Sequence, residues 1–222
     1  MDFTWDFGAV LQNWPVLLKG VGVTAGLWAV AFPAAMLLGV LIALGSRSRS
    51  RLLGGATRGY MELFRNIPIL VQLVWFFYAF PIVTGIQLSP YVAALLALTL
   101  NASAYCSEIF RGGIASLPPG QWEGARALGM QRTQVLRRVV LPQVLKRMLP
   151  AFTNRGIELA KNTSVASAIA VHELMYQGRA LSAVSYRPLE MLTVVAVIYF
   201  VLIYPGAYLA GRLEKRLALR GA

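Results

Sequence analysis

The sequence predicts an all-α integral membrane protein of about five transmembrane helices, with the N-terminus outside and the C-terminus in the cytoplasm. Three observations carry this. The 222 residues are 57% hydrophobic and only 14% charged, against about 25% charged in a typical soluble domain. Uncharged stretches long enough to cross a bilayer core, for which about 20 apolar residues suffice, recur along the chain. The basic residues sit between those stretches rather than on one solvated face, so the net charge of +12 reads as membrane topology and not as a nucleic-acid surface.

Taken in order, the elements form one domain, 1–222. The first expected span, about 20–46, is uncharged between Lys19 and Arg47. From Asn66 to Ser107 no charge occurs, and PIVTGIQLSP at 81–90 breaks that stretch with Pro81, Gly85 and Pro90. This predicts a turn between a second span at about 60–80 and a third at about 90–110. A fourth span, about 148–171, carries Arg155, Glu158 and Lys161, and hydropathy alone passes over it. It is read as a span because its neighbours require a return crossing and because charges at i, i+3 and i+6 lie near one side of a helix. The fifth, about 191–211, is uncharged between Glu190 and Arg212, and Pro205 predicts a kink near its end. The N-terminus carries Asp2 and Asp6 and has no basic n-region, so the first span is expected to be retained.

Charge fixes the orientation. Arg47, Arg49, Arg51 and Arg58 follow span one; Arg111, Arg126, Arg132, Arg137, Arg138, Lys146 and Arg147 follow span three; Arg212, Lys215, Arg216 and Arg220 end the chain. These are most of the 21 basic residues, and five spans put them all on one side, the cytoplasmic one. The opposite segments, 1–18, 81–90 and 172–190, hold only Arg179 and Arg187 as basic groups. The single Cys106 excludes a disulfide framework, and with the single His172 it excludes an ordinary Cys/His metal site.

The long cytoplasmic loop, about 112–147, has structure of its own. Pro118, Pro119 and Gly120 predict a turn, QWEGARAL a short helix with Glu123 in its first turn, and Gly129 a left-handed cap at its end. Thr133 is expected to cap a second short helix, TQVLRRVVL, that Pro142 interrupts. A helix exposing Gly124, Ala125 and Ala127 lets another protein approach its backbone closely. The same segment is equally compatible with an amphipathic helix held on lipid headgroups by Arg126, Arg132, Arg137 and Arg138.

Glu123, Ala125 and Gly129, then Val139, Leu141 and Pro142, match the spacing of the EAA loop, E-A-A-x3-G-x9-I-x-L-P, of bacterial ABC-importer permeases. Gly124 stands at the middle alanine and Val139 at the isoleucine. ELFRNIPILVQLVWFFY at 62–78, AYCSEIFRGGIASLPPGQWEGARALGM at 104–130 and ELAKNTSVASAI at 158–169 resemble the polar amino-acid branch of that family, with Asn66 at a usual glycine. The resemblance thus covers most of the chain. It implies that Glu123, Gly124, Ala125, Arg126, Ala127, Gly129, Leu141 and Pro142 dock a separate P-loop ATP-binding subunit, where ATP and magnesium bind. It further implies a second permease subunit, identical or paralogous, an external solute-binding protein, and residence in the bacterial inner membrane. No G-x4-G-K-[ST] phosphate loop occurs in this chain, so no cofactor is expected here and the ATPase is expected on another polypeptide.

Ionisable groups inside a membrane cost about 3 kcal/mol each on insertion scales, so they require partners or water. Glu158 has two candidate partners, Arg155 at i−3 and Lys161 at i+3. On one reading the charges neutralise each other. On the other this face lines a path where Lys161, Asn162, Thr163 and Ser164 meet a polar solute, and the family resemblance favours the path. Glu108 and Asn101 either face the same cavity or make interhelical contacts. Arg65 either attracts a carboxylate or snorkels to the cytoplasmic edge, and Gln72 either lines the path or bonds between helices. His172 is expected at the surface, Cys106 in the core, and Trp75, Phe76, Phe77 and Tyr78 in an interfacial aromatic belt.

The expected function is uptake of a polar amino acid, with no chemistry performed by this chain. An ion-gradient-driven transporter is the first rival, but such folds usually carry internal repeats and none is visible here. A membrane scaffold whose basic loops bind anionic lipid is the second.

Overall fold

The structure, a computed structural model, describes residues 4–218, with side chains through Leu213. Of the residues that set the expected topology, Asp2 and Arg220 lie outside that range, as do the side chains of Lys215 and Arg216. The described residues are helical with no strand. A short α1 (Gly8–Gln12) leads into α2 (Trp14–Ser46), which starts earlier than expected because Pro15 suits a helix's first turn, so Lys19 lies inside it. Then come α3 (Arg51–Asn66), α4 (Ile69–Val74), a π-helical turn at Trp75–Ala79, α5 (Phe80–Thr84) and α6 (Pro90–Ala115). The long segment after α6 holds α7 (Pro119–Ala127), α8 (Arg132–Gln134) and a second π-helical turn, Val135–Val140, running into α9 (Leu141–Asn162). A 3₁₀ turn, Thr163–Ile169, leads to α10 (Leu174–Ser185) and α11 (Pro188–Ala218).

Among the described residues three helices, Trp14–Ser46, Pro90–Ala115 and Pro188–Leu213, are long and apolar enough to cross a membrane. The expected second span falls across a break: Arg51–Asn66 and Ile69–Thr84 meet at 106°. Pro68 removes an N–H and forces the preceding Ile67 into the extended region (φ −91°, ψ 128°). The expected fourth span falls on α9 and the 3₁₀ turn, whose charges keep it out of the strongly apolar set.

The centre of the bundle is α2 against α6, joined through small residues that let the backbones close. Ala31 and Ala35 meet Leu98, Ala102 and Leu159, and a Cβ on Gly39 would lie 2.6 Å from that of Cys106. Within a bilayer, where lipid is as apolar as leucine, such close packing is what holds helices together. Cys106 is buried, as expected of a small core residue.

Candidate functional site

The arm that follows α6 is built on α7. Its C-terminus closes by a Schellman arrangement: Met130 N donates to Ala125 O at 3.2 Å, Gly129 N to Arg126 O at 2.9 Å, and Gly129 has φ +73°. The predicted left-handed glycine is therefore present. Other details differ. The helix starts at Pro119 rather than after Gly120, so Glu123 lies beyond the first turn, where the dipole is weaker. Ala125 is buried rather than exposed. It packs into a cluster with Leu117, Val135, Val140, Val144, Met148 and Phe152, because α7 must bury one face on the base of α9. The surface left to solvent includes Glu123, Gly124, Arg126, Ala127 and Leu128, the leucine 83% exposed.

Thr133 does not cap the next helix. Gln131 does so instead, in a reciprocal box with Gln134. Nor does Pro142 interrupt it. A proline lacks an N–H and crowds the carbonyl four residues back, and here the π-helical turn Val135–Val140 widens the helix just ahead of it. The helical path therefore continues from Arg132 to Asn162 in place of a short second helix. Leu141 and Pro142 are exposed on it.

A second cluster forms where α3 ends. Breaking a helix strands its last carbonyls, and three side chains collect them. Asn101 Nδ2 donates to Phe64 O at 2.8 Å; Gln72 Nε2 donates to Phe64 O at 2.9 Å and Ile67 O at 2.7 Å; Tyr105 Oη donates to Arg65 O at 3.2 Å. Gln72 is buried, and its Oε1 has no partner. Asn66 stays local, donating to Glu62 O at 2.8 Å. Arg155 of α9 completes the cluster: it is 4% exposed, donates through Nη2 to Asn101 Oδ1 at 2.8 Å, and lies with its guanidinium 4.0 Å from the Tyr105 ring centroid.

Of the two partners open to Glu158, the structure selects Arg155, at 2.8 Å, and leaves the Glu158 side chain 57% exposed. Glu108 pairs with Arg111 at 2.7 Å and with Arg65 at 3.8 Å. Arg65, Gln72, Asn101, Glu108 and Glu158 are thus brought together around the break, through Tyr105 and Arg155. Lys161, Asn162, Thr163 and Ser164 are not part of that network. Thr163 is buried with its hydroxyl on Ala160 O, and Ser164 turns its hydroxyl to Lys161 O. Lys161 and Ser164 border a groove of about 600 Å³ whose other walls are mostly apolar, among them Ile157, Val195, Phe200 and Ile203.

The sequence reading missed Glu173. It is fully buried and receives Met175 N (2.9 Å), Tyr176 N (2.8 Å) and Tyr199 Oη (2.6 Å), joining the start of α10 to α11. The available signal was weak: a glutamate directly ahead of an apolar helix, at a position where Ser, Thr, Asp and Asn are the usual caps. His172 beside it is exposed and stacked on Tyr176 at 4.5 Å. Among the described residues no group of acidic, histidine or cysteine side chains suits a metal ion.

The apolar helices, the bend between α3 and α4 and the glycine-capped α7 on its long helical arm go with a family of membrane transport subunits. Residues 35–219 match the family of binding-protein-dependent transport system inner membrane components, and the chain belongs to that family. It is 36% identical to the L-cystine transport system permease protein TcyB of Bacillus subtilis, over 96% of this chain and 91% of that one. It is 30% identical to the glutamine transport system permease protein GlnP of Escherichia coli, over 99% of this chain and 100% of that one. The solved structure of an amino acid ABC transporter with histidines superimposes with a TM-score of 0.89 at 33% identity, over 96% of this chain and 100% of that one.

Proposed function

We propose that this chain is the permease subunit of a bacterial inner-membrane importer for a polar amino acid, crossing the bilayer five times with α9 as the fourth crossing. It works with a second permease subunit, an external solute-binding protein and separate subunits that bind ATP and magnesium. The observation that carries this reading is the arm. A short helix exposing Glu123, Gly124, Arg126, Ala127 and Leu128 is stopped by Gly129 and rooted through Ala125 on a helical path that runs on to Asn162. A push on α7 is therefore delivered to α9 by packed side chains rather than absorbed by a hinge.

The solute path is proposed to run past the break, where Gln72 Oε1 is unpartnered and the Glu158 side chain is exposed, with Arg65, Asn101 and Glu108 holding that wall. Lys161, Asn162, Thr163 and Ser164 extend it toward the α11 groove. A solute carrying both ammonium and carboxylate suits a path with both signs of charge.

The test is Glu123→Lys in the assembled complex. The substitution reverses charge on an exposed face, so the expected outcome is intact expression and thermal stability with uptake per ATP hydrolysed reduced on the order of tenfold. Uptake per ATP equal to that of the unmodified complex overturns the docking assignment.

A further inference from the structure

The Arg155 guanidinium links the arm to the broken helix. About eleven residues of α9, or about 16 Å at 1.5 Å per residue, separate it from Val144, which packs in the same cluster as Ala125 of α7. At its other end Arg155 reaches α3 by two short relays. One runs through Asn101, which accepts from Arg155 at 2.8 Å and donates to Phe64 O at 2.8 Å. The other runs through Tyr105, whose ring lies 4.0 Å from the guanidinium and whose hydroxyl donates to Arg65 O at 3.2 Å. Phe64 O and Arg65 O are the carbonyls released just before the 106° bend.

We propose that Arg155 is a positioning residue through which displacement of the cytoplasmic arm is passed to the Phe64 and Arg65 carbonyls, resetting the bend between α3 and α4. This rests on the reading of α7 as the docking helix. An arginine suits the task because its planar fork donates to Asn101 while its face stacks on Tyr105, a combination that a lysine ammonium cannot reproduce. A merely structural clamp and a relay differ in what they affect. Loss of a clamp lowers stability, ATP hydrolysis and uptake together, whereas loss of a relay separates uptake from hydrolysis.

Arg155→Lys, which keeps the charge and the apolar stem, is assayed in the complete complex reconstituted in liposomes with its binding protein, measuring assembly, ATP hydrolysis and amino-acid uptake. The expected result is an assembled complex with hydrolysis within about twofold of the unmodified complex and uptake per ATP lowered on the order of tenfold, as for a misplaced rather than missing site. Unchanged uptake per ATP, or hydrolysis and uptake falling in parallel, overturns the proposal. Should Arg155→Lys fail to assemble, the double variant Tyr105→Phe with Asn101→Asp decides: it keeps the stacking ring and an acceptor for Arg155 but removes the donors to both Arg65 O and Phe64 O, so uptake per ATP equal to that of the unmodified complex overturns the relay. Glu123→Lys in the same assay separates the two readings. If it too leaves uptake per ATP unchanged, the docking assignment has failed; if it uncouples while Arg155→Lys does not, only the relay has.

Discussion

Pro68 and Pro142 both follow directly on helical sequence, with opposite results. At Ile67-Pro68 the chain breaks and turns through 106°; at Leu141-Pro142 it runs on through a π-helical turn. A proline costs one hydrogen bond and one steric contact in either place, so proline alone does not decide. The difference lies in where the released carbonyls go. Around the break, Asn101, Gln72 and Tyr105 reach them from α4 and α6, and in a membrane interior unsatisfied backbone groups are not tolerated. On the arm the helix widens into a π-helical turn instead, and the apolar face of Val135, Val140 and Val144 stays on one side against α7.

Asn101→Leu is expected to have the largest effect, because it removes a donor from Phe64 O and leaves the buried Arg155 without its neutral partner. A loss of about 3 kcal/mol, read as a lower midpoint of thermal unfolding in detergent, supports the view that side chains hold the break open. A stability equal to that of the native chain breaks it. Gly129→Ala comes next: a left-handed φ of +73° costs a residue with a Cβ about 1 kcal/mol, and since Gly129 meets no neighbour, no packing loss adds to it. The expected readout is a small drop in unfolding midpoint, with faster protease cleavage near residue 130. Pro142→Ala is expected to have the smallest effect, within about 0.5 kcal/mol either way, because the π-helical turn has already accommodated the missing N–H. A loss of several times that amount shows that the ring, not the helix, sets the course of the arm.

Much of this was legible residue by residue. Gly129 at a helix end, the uncharged runs at 20–46 and 191–211, and the buried Cys106 all follow from local propensity or hydropathy. Thr133 as a cap and Pro142 as an interruption were local readings too, and both failed because the competing features were cooperative: Gln131 has a reciprocal partner in Gln134, and a π-helical turn spends one extra residue to keep a helix whose face is already packed. The polar residues were picked out without their roles. Nothing along the chain says that Asn101 would meet Phe64 O across 37 positions, or that Glu158 would choose Arg155 over Lys161.

The sequence by itself determined that the chain is membrane-embedded and helical, where its charges cluster, and that a short helix over QWEGARAL, closed by Gly129, punctuates its longest basic loop. These depend on composition and on spacing within a few residues. Only the tertiary structure decided that one proline bends the chain and another does not, that Ala125 is a root rather than a contact, and that Arg155 joins α9 to the end of α3. Those outcomes depend on which distant donor reaches which carbonyl, and burial in a medium without water makes each such pairing all but obligatory.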